Sequence, residues 1–142
     1  MRIVKKYVLP VVVILAAAGA LYAYREYNRK PADLTNIAPQ EITDVPSMVN
    51  MYDSNEVKAN EKFLGKTVEV KGVVSDVINL QDTLLTVMLG SKEEMHRVSC
   101  LLDKEQIVNL KKCVVGQQAT IKGICTGFLL DVEMNRCVIL SK

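Results

Sequence analysis

The 142-residue sequence predicts a mainly β protein: a closed barrel of five strands with a leading helix and a short helix between its third and fourth strands, preceded by one apolar amino-terminal helix. Three observations carry that expectation. Gly65-Lys66-Thr67-Val68-Glu69-Val70-Lys71-Gly72-Val73-Val74 and Gly116-Gln117-Gln118-Ala119-Thr120-Ile121-Lys122-Gly123-Ile124-Cys125 align without a gap, and both alternate polar and apolar residues at the strand period of two. Residues 7–24 contain no charged side chain. After Gly65 the patterns run strand, strand, strand, helix, strand, strand.

Residues 1–6 form a basic tail through Arg2, Lys5 and Lys6. Residues 7–24 are long enough, at 1.5 Å per residue, for about 27 Å of bilayer core and read as a transmembrane helix. Pro10 falls in its first turn, where a missing N–H costs little. Tyr7, Tyr22, Tyr24 and Tyr27 lie at the two ends of the run, as expected of rings seated at membrane interfaces. A cleaved signal peptide ending near Ala18-Gly19-Ala20, which would leave a soluble periplasmic protein, is the alternative; an apolar run longer than the usual 7–15 residues favours a retained anchor. Lys and Arg are balanced across the span, and the unmixed basic tail favours an amino terminus inside and a domain outside the cytoplasm.

Residues 25–41, with Pro31, Asn36 and Pro39, read as a juxtamembrane linker, and the domain is expected over 42–142. Thr43 or Asp44 is suited to cap a helix, with Pro46 in its first turn and Ile42 as a staple. Apolar residues from Met48 to Leu64 then recur at helical spacing, with a break expected near Asp53-Ser54-Asn55 and an end at Gly65. The first strand, Thr67 to about Val77, directs Val68, Val70 and Val74 inward and Glu69, Lys71 and Ser75 outward. Leu84–Leu89 is the second and Met95–Leu102 the third, with Val98, Cys100 and Leu102 inward. Asp103 is suited to cap a short helix to Lys112 with Ile107, Val108 and Leu110 as its apolar stripe. Ala119 to Thr126 and about Val132 to Leu140 close the set. This is the order of an OB-fold, whose first and fourth strands, here the two repeats, are neighbours. The strand glycines Gly72 and Gly123 are expected at bulges or bends.

Six of the eighteen basic residues and one of the sixteen acidic ones precede Pro31, which leaves twelve against fifteen and a net charge of −3 for the rest. Phosphate backbones call for the opposite sign. The first three strands also lack the aromatic residues on which an OB surface stacks bases. Nucleic acid is therefore not an expected partner.

Asp53-x-Asn55-x4-Asn60-x2-Phe63-Leu64-Gly65-Lys66, Val68-x-Val70-x-Gly72-x-Val74, Val98-Ser99-Cys100, Lys122-Gly123-Ile124-Cys125-Thr126-Gly127-Phe128-x2-Asp131-Val132 and Asn135-x-Cys137-Val138-Ile139 together resemble the bacterial tRNA-anti-like OB-fold proteins over about residues 42–140. The resemblance implies short chains, many with one amino-terminal membrane segment, and so a single-pass protein of the bacterial inner membrane with a periplasmic domain. It supplies no active site, and a likeness to anticodon-binding domains concerns the fold rather than the function.

None of Cys100, Cys113, Cys125 and Cys137 forms a C-x2-C pair, which argues against a zinc site or a thioredoxin-like centre. Cys125 with Cys137 is one disulfide consistent with a hairpin, Cys100 with Cys137 is another, and free buried thiols are the alternative to both. His96, the only histidine, has no ligand-spaced partner in sequence, and Glu93-Glu94 and Lys111-Lys112 read as solvated ends. No catalytic, cofactor-binding or metal-binding residue stands out. Ile78 and Leu80 near the first hairpin, with Phe128, Leu129 and Leu130 near the last, form a candidate contact surface; completion of a small core is the competing role. The function expected is a membrane-anchored, non-catalytic envelope module binding a protein, peptide or small ligand. Its alternative is a cytoplasm-facing nucleic-acid-binding protein of the anticodon-binding type.

Overall fold

The computed structural model describes residues 2–28, 34–80 and 84–141, with side chains over 12–28, 34–79 and 85–140. The chain divides into two units, Met1–Ala32 and Asp33–Lys142. In the first, α1 (Arg2–Tyr27) contains the expected span 7–24, part of which, residues 7–11, lies outside the described side chains. Among the described residues no helix is long and apolar enough to cross a membrane.

The second unit holds β1 (Glu41–Asp44), α2 (Val45–Ser54), α3 (Glu56–Phe63), β2 (Thr67–Leu80), β3 (Leu84–Leu89), β4 (Val98–Leu102), a 3-10 helix (Lys104–Lys112), β5 (Gln118–Phe128) and β6 (Val132–Ser141). Five of these strands, in the order β2-β3-β4-β6-β5, close into a mixed barrel through a β2–β5 pairing. That is the OB order. The two repeats are the closing pair: Thr67–Val73 runs antiparallel to Gln118–Ile124. β2 serves both halves of the barrel because its later residues turn to β3 after a register shift between Val74 and Asp76.

Val68, Val70, Val74, Val98, Cys100 and Leu102 are buried as the period of two requires. Ser75 is buried as well, against expectation, because the shift beside it removes it from the outward row, and its hydroxyl donates to the Met88 carbonyl at 3.2 Å. The leading helix is two helices. Asn55 ends α2 and caps α3, accepting from Lys58 N at 3.0 Å, while Asp44 caps α2 by accepting from Ser47 N at 2.7 Å. Met48, Tyr52, Ala59 and Phe63 carry the apolar face of this pair into the barrel core.

Four further expectations are corrected. Ile42 is no staple; it stands 63% exposed on β1, a short parallel strand beside the first half of β2. The third strand begins at Val98 rather than Met95, because the 96–97 segment bonds to the turn before β6 instead. Asp103 makes no side-chain cap, and the element after it is a 3-10 helix. Its period of three cannot gather Ile107, Val108 and Leu110 on one face: Val108 is 82% exposed and no residue of the element is buried. α2 and α3, rather than this helix, supply the large helical side chains of the core.

Part of the linker packs on the barrel. Leu34 is buried in a 3-10 turn, and Lys122 Nζ, itself buried on β5, donates to the carbonyls of Thr35 at 3.1 Å and Ile37 at 2.7 Å.

Candidate binding pocket

Lys71 to Ser75 of β2 is where three other segments converge. β1 ends beside Lys71, and α2 starts at once from the Asp44 cap. Gly72 admits the first turn of α2: a Cβ there would stand 2.5 Å from Val45 Cγ2. Gly72 therefore sits in regular pairing with Ala119, and its reason is close approach rather than the bulge, which falls two residues later. Gly90 N donates to Val73 O at 2.8 Å, Gly116 N to Val74 O at 2.8 Å, and Val74 N to Gln117 O at 2.9 Å.

These segments line an open cavity of about 700 Å³. Val45, Pro46, Val73, Val74 and Val115 give it an apolar lining; Lys71, Lys92, Asp44, Glu94 and Gln118 are its polar members. Val73 and Val115 are about half exposed there. Both carboxylates already accept backbone N–H groups, Asp44 from Ser47 and Glu94 from Ser91 at 3.0 Å. Ser47, through its side chain first and its N–H second, holds the Asp44 carboxyl below the ordinary carboxylate range. Its volume lies in the size range of small-molecule sites, and its lining is mainly apolar.

The sequence-predicted contact residues lie elsewhere. Leu129 and Leu130 are 75% and 80% exposed at the β5–β6 turn, Ile78 is 40% exposed, and the Leu80 side chain lies outside the described residues. Phe128 is half-buried, stacked on Tyr52 at 5.2 Å and edge-on to His96 at 5.1 Å. The turn is bonded to the segment before β4: Arg97 N donates to Asp131 at 2.7 Å, and His96 Nδ1 meets the Leu130 carbonyl. His96 also stands 3.7 Å from Asp53, so the lone histidine of the sequence joins α2 to this turn. The cavity itself was missed in the sequence. Its one signal there is Val73, an apolar residue in the row of β2 that otherwise carries Glu69 and Lys71.

A family model described as tRNA_anti-like matches residues 1–139. The chain belongs to the tRNA_anti-like family. Among solved structures, it is similar to a "putative nucleic acid-binding lipoprotein" from Klebsiella pneumoniae, with a TM-score of 0.60 and 18% identity over 78% of this chain and 99% of that one. The asparaginyl-tRNA synthetase of Entamoeba histolytica, solved with asparaginyl-adenylate, gives a TM-score of 0.47 and 16% identity over 74% of this chain and 25% of that one. No curated protein matches. At 18% identity the likeness to the Klebsiella structure is one of fold.

The core of this tRNA_anti-like barrel holds its cysteines. All four are free and buried in the structure. Cys125 Sγ lies 3.3 Å from the Tyr52 hydroxyl, and Cys137 Sγ lies 3.4 Å from the Met134 carbonyl. Desolvation is the first cause that raises the thiols of Cys113, Cys125 and Cys137 and the Tyr52 hydroxyl above their ordinary values. Such thiols are poor nucleophiles while the barrel is closed. Among the described residues no group of histidine, cysteine and carboxylate side chains could hold a metal ion.

Proposed function

We propose that this tRNA_anti-like chain is a non-catalytic binding module, tethered to the inner membrane by residues 7–24, whose barrel takes a small apolar ligand or an apolar peptide segment into the cavity between α2 and β2. The observation that carries the reading is the cavity itself: about 700 Å³, with a mainly apolar lining. The tether rests on the uncharged run between interfacial tyrosines and on the basic tail before it, which favour a periplasmic barrel.

Titration with anilinonaphthalene sulfonate, an apolar fluorescent probe, tests the site. One saturable site is expected, weakened at least about tenfold by Val73→Trp, which fills the cavity from a half-exposed position. Unchanged binding by that variant contradicts the assignment. Labelling of Lys92→Cys with a membrane-impermeant thiol reagent in intact cells tests the location; protection until lysis contradicts it.

The name of the Klebsiella structure favours a second reading, nucleic-acid binding. The charge of −3 beyond residue 30 and the aromatic-free sequences of β2 to β4 weigh on the other side. Anisotropy of a labelled single-stranded oligonucleotide at low salt separates the two.

A further inference from the structure

Resting on the reading of the cavity between α2 and β2 as a small-ligand site, we propose that its ligand is a small apolar monocarboxylate whose negative charge is met by Lys71 and Lys92. Four charged side chains line the cavity: Lys71, Lys92, Asp44 and Glu94. The Asp44 carboxylate is committed to the start of α2, where it accepts from Ser47 N, and the Glu94 carboxylate to its own turn, where it accepts from Ser91 N. The lysines are not committed in this way. Among the described residues no hydrogen bond or ion pair reaches either ammonium group.

The backbone brings both lysines to one residue. Lys71 shares a face of β2 with Val73, two positions on, and both are exposed. Glu69, the neighbour of Lys71 on its other side in that row, does not line the cavity. Lys92 belongs to the turn after β3, which is fixed at the same place by the bond from Gly90 N to Val73 O at 2.8 Å. Gly90 has φ 128°, and a Cβ there would stand 3.3 Å from Val45 Cγ1, so this turn also passes close to α2. Gln118 pairs with Val73 from β5 and adds an amide donor. Val73 is thus flanked by two cations and an amide, a donor set suited to a carboxylate whose apolar body rests on the valine.

The charges along the lining limit the charge of the ligand. Lys71 and Lys92 against Asp44 and Glu94 sum to zero. A phosphate dianion would face two carboxylates beside its two lysines, and a cation would face two lysines while both carboxylates are held by N–H groups. A single negative charge is what the uncommitted donors satisfy. Exposed ion pairs are individually weak, so the apolar body supplies most of the affinity and the lysines choose among bodies of the same shape.

The test compares two water-soluble compounds with one apolar body, 4-phenylbutyrate and 4-phenylbutan-1-ol. Binding is followed through the amides of Gly72, Val73, Gly90 and Gly116 in nitrogen–proton correlation spectra of the full chain in detergent. The carboxylate is expected to bind at least about threefold more tightly at low salt, the ratio that two exposed pairs of ordinary strength give, and the preference should shrink at about 1 M salt. Lys71→Met combined with Lys92→Met keeps the apolar stems and is expected to erase the preference while the alcohol binds as before. Val73→Trp is expected to weaken both compounds. Amides unmoved by either compound overturn the small-ligand cavity and the carboxylate with it. Equal affinity for the two, or a preference that survives the loss of both lysines, leaves the cavity in place and overturns the carboxylate. Because equal affinity is read on the unaltered chain, that outcome holds even if the variants do not fold.

Discussion

Gly123→Ala probes a close approach between β5 and β6. Its φ is not in the left-handed region, so the backbone accepts alanine without strain, and on unfolded-state entropy alone the change would stabilise by about 0.4–1 kcal/mol. The new methyl has no room. Cys137 Sγ occupies its place and the Asn135 carbonyl lies 3.1 Å away, so one of two strands must shift. Overpacking of this kind costs about 1–3 kcal/mol, which leaves a net loss of about 0–2.6 kcal/mol, centred on about 1.3 kcal/mol. Equilibrium urea denaturation of the full chain in reducing buffer measures it. Combining the change with Cys137→Ala removes the obstructing sulfur, and the double variant should lose less than the sum of the singles by at least about 1 kcal/mol. A stabilised Gly123→Ala, or strict additivity, would refute the packing described.

Three other outcomes follow from the same contacts. Asp44→Ala removes the α2 cap and should lower the urea midpoint at neutral pH; because the folded carboxyl titrates below its ordinary 3.8, the cap's contribution is present above that value and disappears as pH falls through the lower folded one, so the two proteins converge in acid and a constant gap contradicts the cap. Cys125, Cys137 and Tyr52 titrate above their ordinary values in the fold, so their contribution is complete below the ordinary thiol value of 9.0 and is lost as pH rises through the folded values; urea midpoints should fall in alkali, and a midpoint that stays flat there argues against their burial. Lys122→Met keeps the buried stem and removes the bonds to Thr35 and Ile37, each on the order of 1.5–3 kcal/mol for a charged donor. Thermolysin should then cut near Leu34 and Ile37 at least about tenfold faster, with unchanged cutting as the contrary result.

What the sequence disclosed depended on how local the cause was. The alternation in Thr67–Val74 and Ala119–Cys125 needs only a half-buried pleat, and it led correctly to two neighbouring strands. Leu84–Leu89, a short and nearly continuous apolar run, is bounded to the residue by the sequence. β1 was missed because four residues in parallel pairing are set by the strand they meet, not by their own pattern. Met95 to Arg97 looked like strand, but those residues answer to the 130–131 turn, which lies 34 positions along the chain. The cavity was hidden most deeply. Val73 alone interrupts the polar row of β2, Val45 and Val115 say nothing separately, and only the meeting of α2 with β2 at Gly72 brings the three together.

The most direct test of the cavity as the binding site is a pair of titrations followed by nitrogen–proton correlation spectra of the full chain in detergent, one with anilinonaphthalene sulfonate and one with a single-stranded oligonucleotide. The amides of Gly72, Val73, Gly90 and Gly116 should move with the first and stay still with the second. Movement with the oligonucleotide along β3 and β4, with the cavity amides unmoved by the apolar probe, would contradict the assignment and leave the nucleic-acid reading in its place.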